Sequence, residues 1–240
     1  MINLNKFLFP AIFLALFFPL KLSGTHLVGG EITYTCSGNN SYEIKLRIYR
    51  DCYGGVAGFD QSVNFTIFDD QGNILFNPSV SKGTTVQVPS ATGNPCLTTP
   101  PNICTEYAEY IHTISLPARL GGYIISYQRC CRNASIANIV GTGTGNTYTI
   151  QIPTMDNCNS TPQFSTVPPI VLCKSDVLSI DASAVDSNGD SLFYEFCEIL
   201  NGGSSFNPSP ASADPPPYSS IPFILPQTSS TPIPGSPALT

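Results

Sequence analysis

The chain has 240 residues, 42% apolar and 11% charged, with nine cysteines, 22 prolines, 19 glycines and a formal charge of −6. The apolar share is too high for a disordered chain, and the acidic balance lacks the attraction that dominates nucleic-acid affinity. Charged residues run at about half their usual share. The 26 Ser, 21 Thr and 17 Asn must do that solvation instead.

The amino terminus reads as an export signal. Lys6 gives a short positive start, residues 7–20 form an apolar run, and Leu22-Ser23-Gly24 offers small residues before a cut. A run of 14 residues is too short to cross about 30 Å of hydrocarbon as a helix. Residues 1–24 are therefore expected to be a secretory signal, with Thr25 as the mature start. Without Lys6 and Lys21 the formal charge falls from −6 to −8. All nine cysteines lie beyond the cut, where an oxidising compartment turns thiols into disulfides. The odd count leaves one without a partner inside the chain. Zinc is disfavoured, because no C-x2-C pair meets a second pair or two histidines.

The rest of the first half reads as short strands. Glu31 to Cys36 is β-branched and aromatic, Ser37-Gly38-Asn39-Asn40 supplies turn chemistry, and Tyr42 to Arg50 alternates apolar with polar. That is a hairpin. Val63, Phe65 and Ile67 continue the alternation, and Asp69-Asp70-Gln71-Gly72-Asn73 turns the chain into Ile74-Leu75-Phe76. Further strands are expected at Thr84–Val88, Tyr107–Leu116, Tyr123–Cys131 and Thr147–Ile152. No stretch holds helical spacing over three turns.

Near Met155 to Phe164 the composition shifts, and residues 156–162 read as a linker. A shorter set of strands is expected beyond it, at Ile170–Cys173, Val177–Ile180, Leu192–Cys197 and Ile221–Leu225. From Asn201 onward there are 10 prolines and 9 serines in 40 residues, which suits an extended linker or a proline-tolerant edge strand. The fold class expected is all-β: a β-sandwich first domain over 25–157, then an Ig-like or cadherin-like second domain over 158–240. Four strands are too few for an Ig-like sandwich of about seven, so that second domain is expected to be incomplete.

Six blocks in order carry a resemblance: HLVGGEITYTC (26–36), YEIKLRIYRDC (42–52), NPCLTTPPNICTE (94–106), GGYIISYQRCCRN (121–133), NCNSTPQF (157–164) and VDSNGDSLFYEFC (185–197). The chain resembles the amino-terminal region of large secreted Bacteroidota surface proteins, which carry PKD or Ig-like repeats and a gliding-motility-associated sorting domain for type IX secretion. The resemblance implies cell-surface display and passage through the outer membrane.

Candidate sites are few. Asp186, Asn188 and Asp190 space oxygen side chains at alternate positions around Gly189, with Asp181 upstream. Two readings stand: a tight acidic turn, which the pattern favours, and a weak calcium site with Asp181 as a fourth contributor. Spacing and resemblance together point to a Cys96–Cys104 disulfide. Cys130 and Cys131, adjacent in a strand, should face opposite ways, so that one reaches another strand, with Cys52 as the favoured partner. His112 shares its strand face with Ala108, Tyr110, Ile114 and Leu116, which suits a packed structural histidine. His26 is the only other histidine. Residues 141–145, Gly-Thr-Gly-Thr-Gly, lie between strand runs with no helix after them, so a hairpin turn is expected over a phosphate loop.

No nucleophile elbow, H-E-x-x-H or Walker loop occurs, and no catalytic residue is assigned. The function expected is a non-catalytic structural or adhesion module whose partner is a surface protein or glycan. The alternative is a secreted carbohydrate-binding module or hydrolase. With no Trp, a sugar-stacking platform would have to come from the 11 tyrosines.

Overall fold

The computed structural model describes residues 27–54, 57–89, 100–133, 135–141, 143–154, 158–171 and 179–233. It is all-β, with its longer strands in two antiparallel sheets. Strands β1 (Leu27–Gly38) and β2 (Ser41–Asp51) form the expected hairpin. Asn39 and Asn40 at its tip have φ of 51° and 59°, a left-handed turn that Asn tolerates. The chain continues through β3 (Ser62–Asn64), β4 (Thr66–Phe68), β5 (Ile74–Phe76) and β6 (Ser79–Gln87). Then come β7 (Thr105–Ser115), β8 (Tyr123–Arg129) and β9 (Asn146–Ile152).

The first sheet has five strands in the order β1-β2-β7-β6-β3, and the second has four in the order β5-β4-β8-β9. The chain changes sheets at Phe65, fully buried between β3 and β4. Alternation decides which side chains enter the core. Tyr42, Ile44, Leu46 and Ile48 of β2 meet Tyr123, Ile125 and Tyr127 of β8, with Tyr148 and Ile152 of β9, in one apolar cluster. The Tyr127 and Tyr148 rings stack at 6.3 Å. At the open side β1 approaches β9, and Gly30 is needed there: a Cβ on it would sit 2.8 Å from the Tyr148 ring.

Two short ladders complete the elements: β10 (Gln163–Phe164) with β11 (Ala184–Val185), and β12 (Ile199–Leu200) with β13 (Ser220–Ile221). The strand expected over Leu192–Cys197 does not form. Residues 191–198 pair with nothing in a ladder, and Phe193 is 86% exposed. The strand expected over Ile221–Leu225 shortens to β13. Of the strands expected at Ile170–Cys173 and Val177–Ile180, residues 172–178 lie outside the described residues, and the described ends are not strand.

The line drawn at 157/158 does not separate two bonding networks. Cys158 is disulfide-bonded to Cys36 of β1. Thr161 exchanges hydrogen bonds with the Tyr34 backbone, and Ser160 Oγ accepts from the Cys36 N–H. These residues occupy the outer edge of β1, which would otherwise offer an unpaired row of donors and acceptors. Farther on, residues 199–224 lie against the second sheet.

Candidate functional site

One polar constellation lies on the outward face of the second sheet. Thr66, Ser126 and Gln128 project there and are at most 3% exposed, although alternation alone would put them in solvent. A segment running from Asn201 to Tyr218 covers them, and side chains of the sheet, with Asn64 of β3 and Asn77 just after β5, bond mainly to its backbone. Thr147 Oγ1 donates to the Asn201 carbonyl at 2.5 Å. Asn64 and Asn77 both donate to the Ala211 carbonyl, at 3.0 and 2.7 Å. Thr66 Oγ1 accepts the Ala213 N–H at 2.8 Å, and Gln128 Oε1 accepts that of Asp214 at 3.0 Å. Ser126 Oγ and the Tyr218 hydroxyl share a bond of 2.5 Å. Glycines set the seat: a Cβ on Gly145 would lie 1.6 Å from the Gly202 carbonyl oxygen.

At one end of the sandwich a small cleft is lined by Leu27, Ile48, Phe59, Tyr110, Tyr127 and Arg129. Asp60 anchors it. Its carboxylate accepts Arg129 Nε at 2.7 Å, Arg129 Nη2 at 3.2 Å and the Tyr127 hydroxyl at 3.3 Å. Arg129 Nη1 donates onward to the Cys130 and Pro208 carbonyls. The Tyr110 hydroxyl donates to the Asp60 carbonyl at 2.6 Å. Burial, and after it the Asp60 charge, pushes both tyrosines well above their ordinary range, so they stay protonated donors. Arg50 pairs with Glu106 at 2.5 Å and lies over the Phe59 ring. These groups satisfy one another, which makes the network a brace across the end of the sandwich.

The cysteine assignments need correction. Cys104 pairs with Cys52, not with Cys96, which lies outside the described residues. The reason is register: Asp51 faces Thr105, so the next residues out, Cys52 and Cys104, meet with Cα atoms 5.0 Å apart. Cys130 and Cys131 bond each other across a cis peptide, and neither reaches Cys52. Strand alternation does not govern them because β8 ends at Arg129. The Cys36–Cys158 bond had no local signal. Cys197 is free and exposed.

The acidic turn forms around Asp186, whose Oδ1 accepts the N–H groups of Asn188 and Asp190 at 2.8 and 3.1 Å. Asn188 Oδ1 accepts the Ser160 N–H and Asp190 Oδ2 accepts Asn159 Nδ2, so the turn clasps the 158–160 segment. Asp181 stands in a separate turn, where its carboxylate accepts the Ser183 N–H. Three of the four residues proposed for calcium therefore share one turn, and Asp181 does not join it. His112 is half-buried in β7, opposite Ile44, on the face expected; His26 lies outside the described residues. Thr142 also lies outside them; Gly141 and Gly143 adopt φ of 89° and 88° in the long β8–β9 connection, which is not a tight hairpin turn.

On the outward face of the first sheet Tyr49 and Tyr107 pair across β2 and β7 with ring centroids 5.6 Å apart. Arg47 lies over Tyr107 at 4.9 Å and bridges Glu31 and Glu109 at 3.0 and 2.6 Å. No described helix is long and apolar enough to cross a membrane. Comparison of the chain with family models, with curated proteins and with solved structures finds no match.

Proposed function

We propose that this chain is an exported, non-catalytic cell-surface module working in structural display or adhesion, at the outer end of a larger secreted protein of the kind its sequence blocks resemble. The observation that carries the reading is the three disulfides among the described residues of a small all-β sandwich. Such bonds persist in oxidising compartments and are reduced in the cytosol. The brace around Asp60 supports a structural role, since its charges are committed to one another and not to a reacting group. The test is surface proteolysis of intact source cells, combined with alkylation before reduction. Loss of the protein from the surface with Cys36, Cys52 and Cys104 protected from alkylation supports the proposal. A cytosolic protein with free thiols at these positions overturns it.

A second reading, glycan binding, is favoured by the Tyr49–Tyr107 pair on the uncovered face of the first sheet. Aromatic faces flanked by carboxylate and guanidinium groups suit a hydroxyl-rich ligand. A glycan array separates the readings: signal that Tyr107→Ala abolishes favours sugar, and an empty array favours display. Weak calcium binding at Asp186, Asn188 and Asp190 belongs to the same proposal, with a Kd of about 10⁻⁴–10⁻³ M expected of extracellular modules. Millimolar calcium should then raise the thermal midpoint. An unchanged midpoint leaves the turn as a clasp on residues 158–160.

A further inference from the structure

The segment over the second sheet is held as a bound peptide is held. Thr66, Ser126, Gln128, Arg129 and Thr147 of the second sheet take hold of it, joined by Asn64 at the end of β3 and Asn77 just after β5, and all but Ser126 engage its backbone. Bound peptides are commonly gripped by their main-chain groups, at a sheet edge in strand addition and here by side chains on a sheet face. The segment suits that role. Pro208, Pro210, Pro215, Pro216 and Pro217 fix φ through a segment that bends at 205–209, 211–212 and 216–217, and so reduce the entropy lost on binding. Most of these partners are amides and hydroxyls, and the one cation, Arg129, meets the Pro208 carbonyl while it stays paired with Asp60, so covering the face leaves no ion unpaired.

The tether to this segment is long, and its described residues make no hydrogen bond to strands β1 to β9. Among the described residues of 165–198, hydrogen bonds run to one another, to 158–160, or through the β10–β11 ladder to Gln163 and Phe164: Ser165 to Ser183, Thr166 to Asp181, Ala184 to Tyr194 and Asn188 to Ser160 and Cys158. At about 3.3 Å per residue such a tether reaches roughly 110 Å when extended, far more than one sandwich width. Release therefore breaks no sandwich strand. It does detach the return of the chain, where Val140 donates to the Pro222 carbonyl and Ile224 to that of Asn138, so the mobile unit is residues 199–233.

We infer that the outward face of the second sheet is a peptide-binding groove, filled within one chain by residues 201–218, and that residues 199–233 of a second copy can fill it in their place. Exchange of this segment would link copies of the chain without any new interface, which suits an assembling surface protein but does not depend on that function.

The test uses the full chain with a site-specific protease sequence inserted between Ser191 and Leu192, cut only after folding. A fluorescein-labelled synthetic peptide of residues 199–233 should bind the cut protein saturably and release the clipped piece. The same peptide N-methylated at Ala213 and Asp214 loses the donors to Thr66 and Gln128 and should bind at least about tenfold more weakly. In parallel, uncut chains carrying two different affinity tags are mixed at high concentration. They should co-purify, and excess peptide should abolish the co-purification. If the cut protein keeps its β circular-dichroism spectrum and takes up no peptide, or takes up the N-methylated one equally well, the groove reading is overturned. Peptide uptake with no co-purification, or with co-purification that the peptide does not disturb, overturns exchange between copies.

Discussion

The outward faces of the two sheets are both polar in sequence, yet one is bare and the other is covered. On the first sheet the row Glu31, Arg47 and Glu109 carries formal charges, each about a quarter to a third exposed. On the second, Thr66, Ser126 and Gln128 are uncharged and buried. The difference follows from desolvation. A hydroxyl or amide can be taken out of water if one good hydrogen bond replaces the lost one, whereas an ion loses far more. A face of hydroxyls and amides can therefore receive a peptide backbone, and a face of ions is better left to water and to its own cross-strand pairs.

That contrast can be broken at several strengths. Replacing Cys36 and Cys158 together by Ser frees the segment that seals β1 and leads to the covering strap. Loop-closure entropy for a sequence separation of 122 puts the loss at about 5 kcal/mol, read from urea unfolding. The Cys52–Cys104 bond, with a separation of 52, should be worth about 4 kcal/mol by the same measurement. Gln128→Leu leaves the Asp214 N–H unpaired under the strap and should lower stability by about 1–3 kcal/mol. On the bare face Glu109→Ala removes one side of a partly exposed ion pair and should change stability by about 0.2–1 kcal/mol, less in high salt. If Glu109→Ala proves as damaging as Gln128→Leu, the two faces do not differ in the way argued.

The smallest effect is a pH dependence at the β4–β5 turn. Side-chain and backbone N–H groups of Asn73, with the Gln71 N–H and Arg119, hold the Asp69 carboxyl below its ordinary range. A lowered folded value favours the folded state once pH is above the unfolded value near 4, and that contribution is lost as pH falls through the folded one. Stability curves recorded from pH 5 to pH 2 should be shallower for Asp69→Asn than for the parent chain.

Much of the sandwich was legible because alternation is local. Tyr42 to Arg50 announced β2, and Asp69-Asp70-Gln71-Gly72-Asn73 announced the turn between β4 and β5. Local reading misled at Leu192–Cys197, where an apolar and aromatic run finds no strand beside it, and at Cys130–Cys131, just past a strand end. Proline content from Asn201 onward spoke for an extended linker or an edge strand, whereas residues 201–218 form a bent strap, and proline content gave no hint of what that strap would lie on.

Composition and period by themselves determined an all-β protein whose core is built from alternate residues, since a side chain's face is set by its neighbours along the strand. Tertiary structure alone decided the disulfide partners, the seal on β1 and the covered face of the second sheet. Each of these depends on which distant backbone groups arrive opposite one another. Cys52 meets Cys104 because two strands share a register, and Thr66 is buried because Ala213 is laid across it.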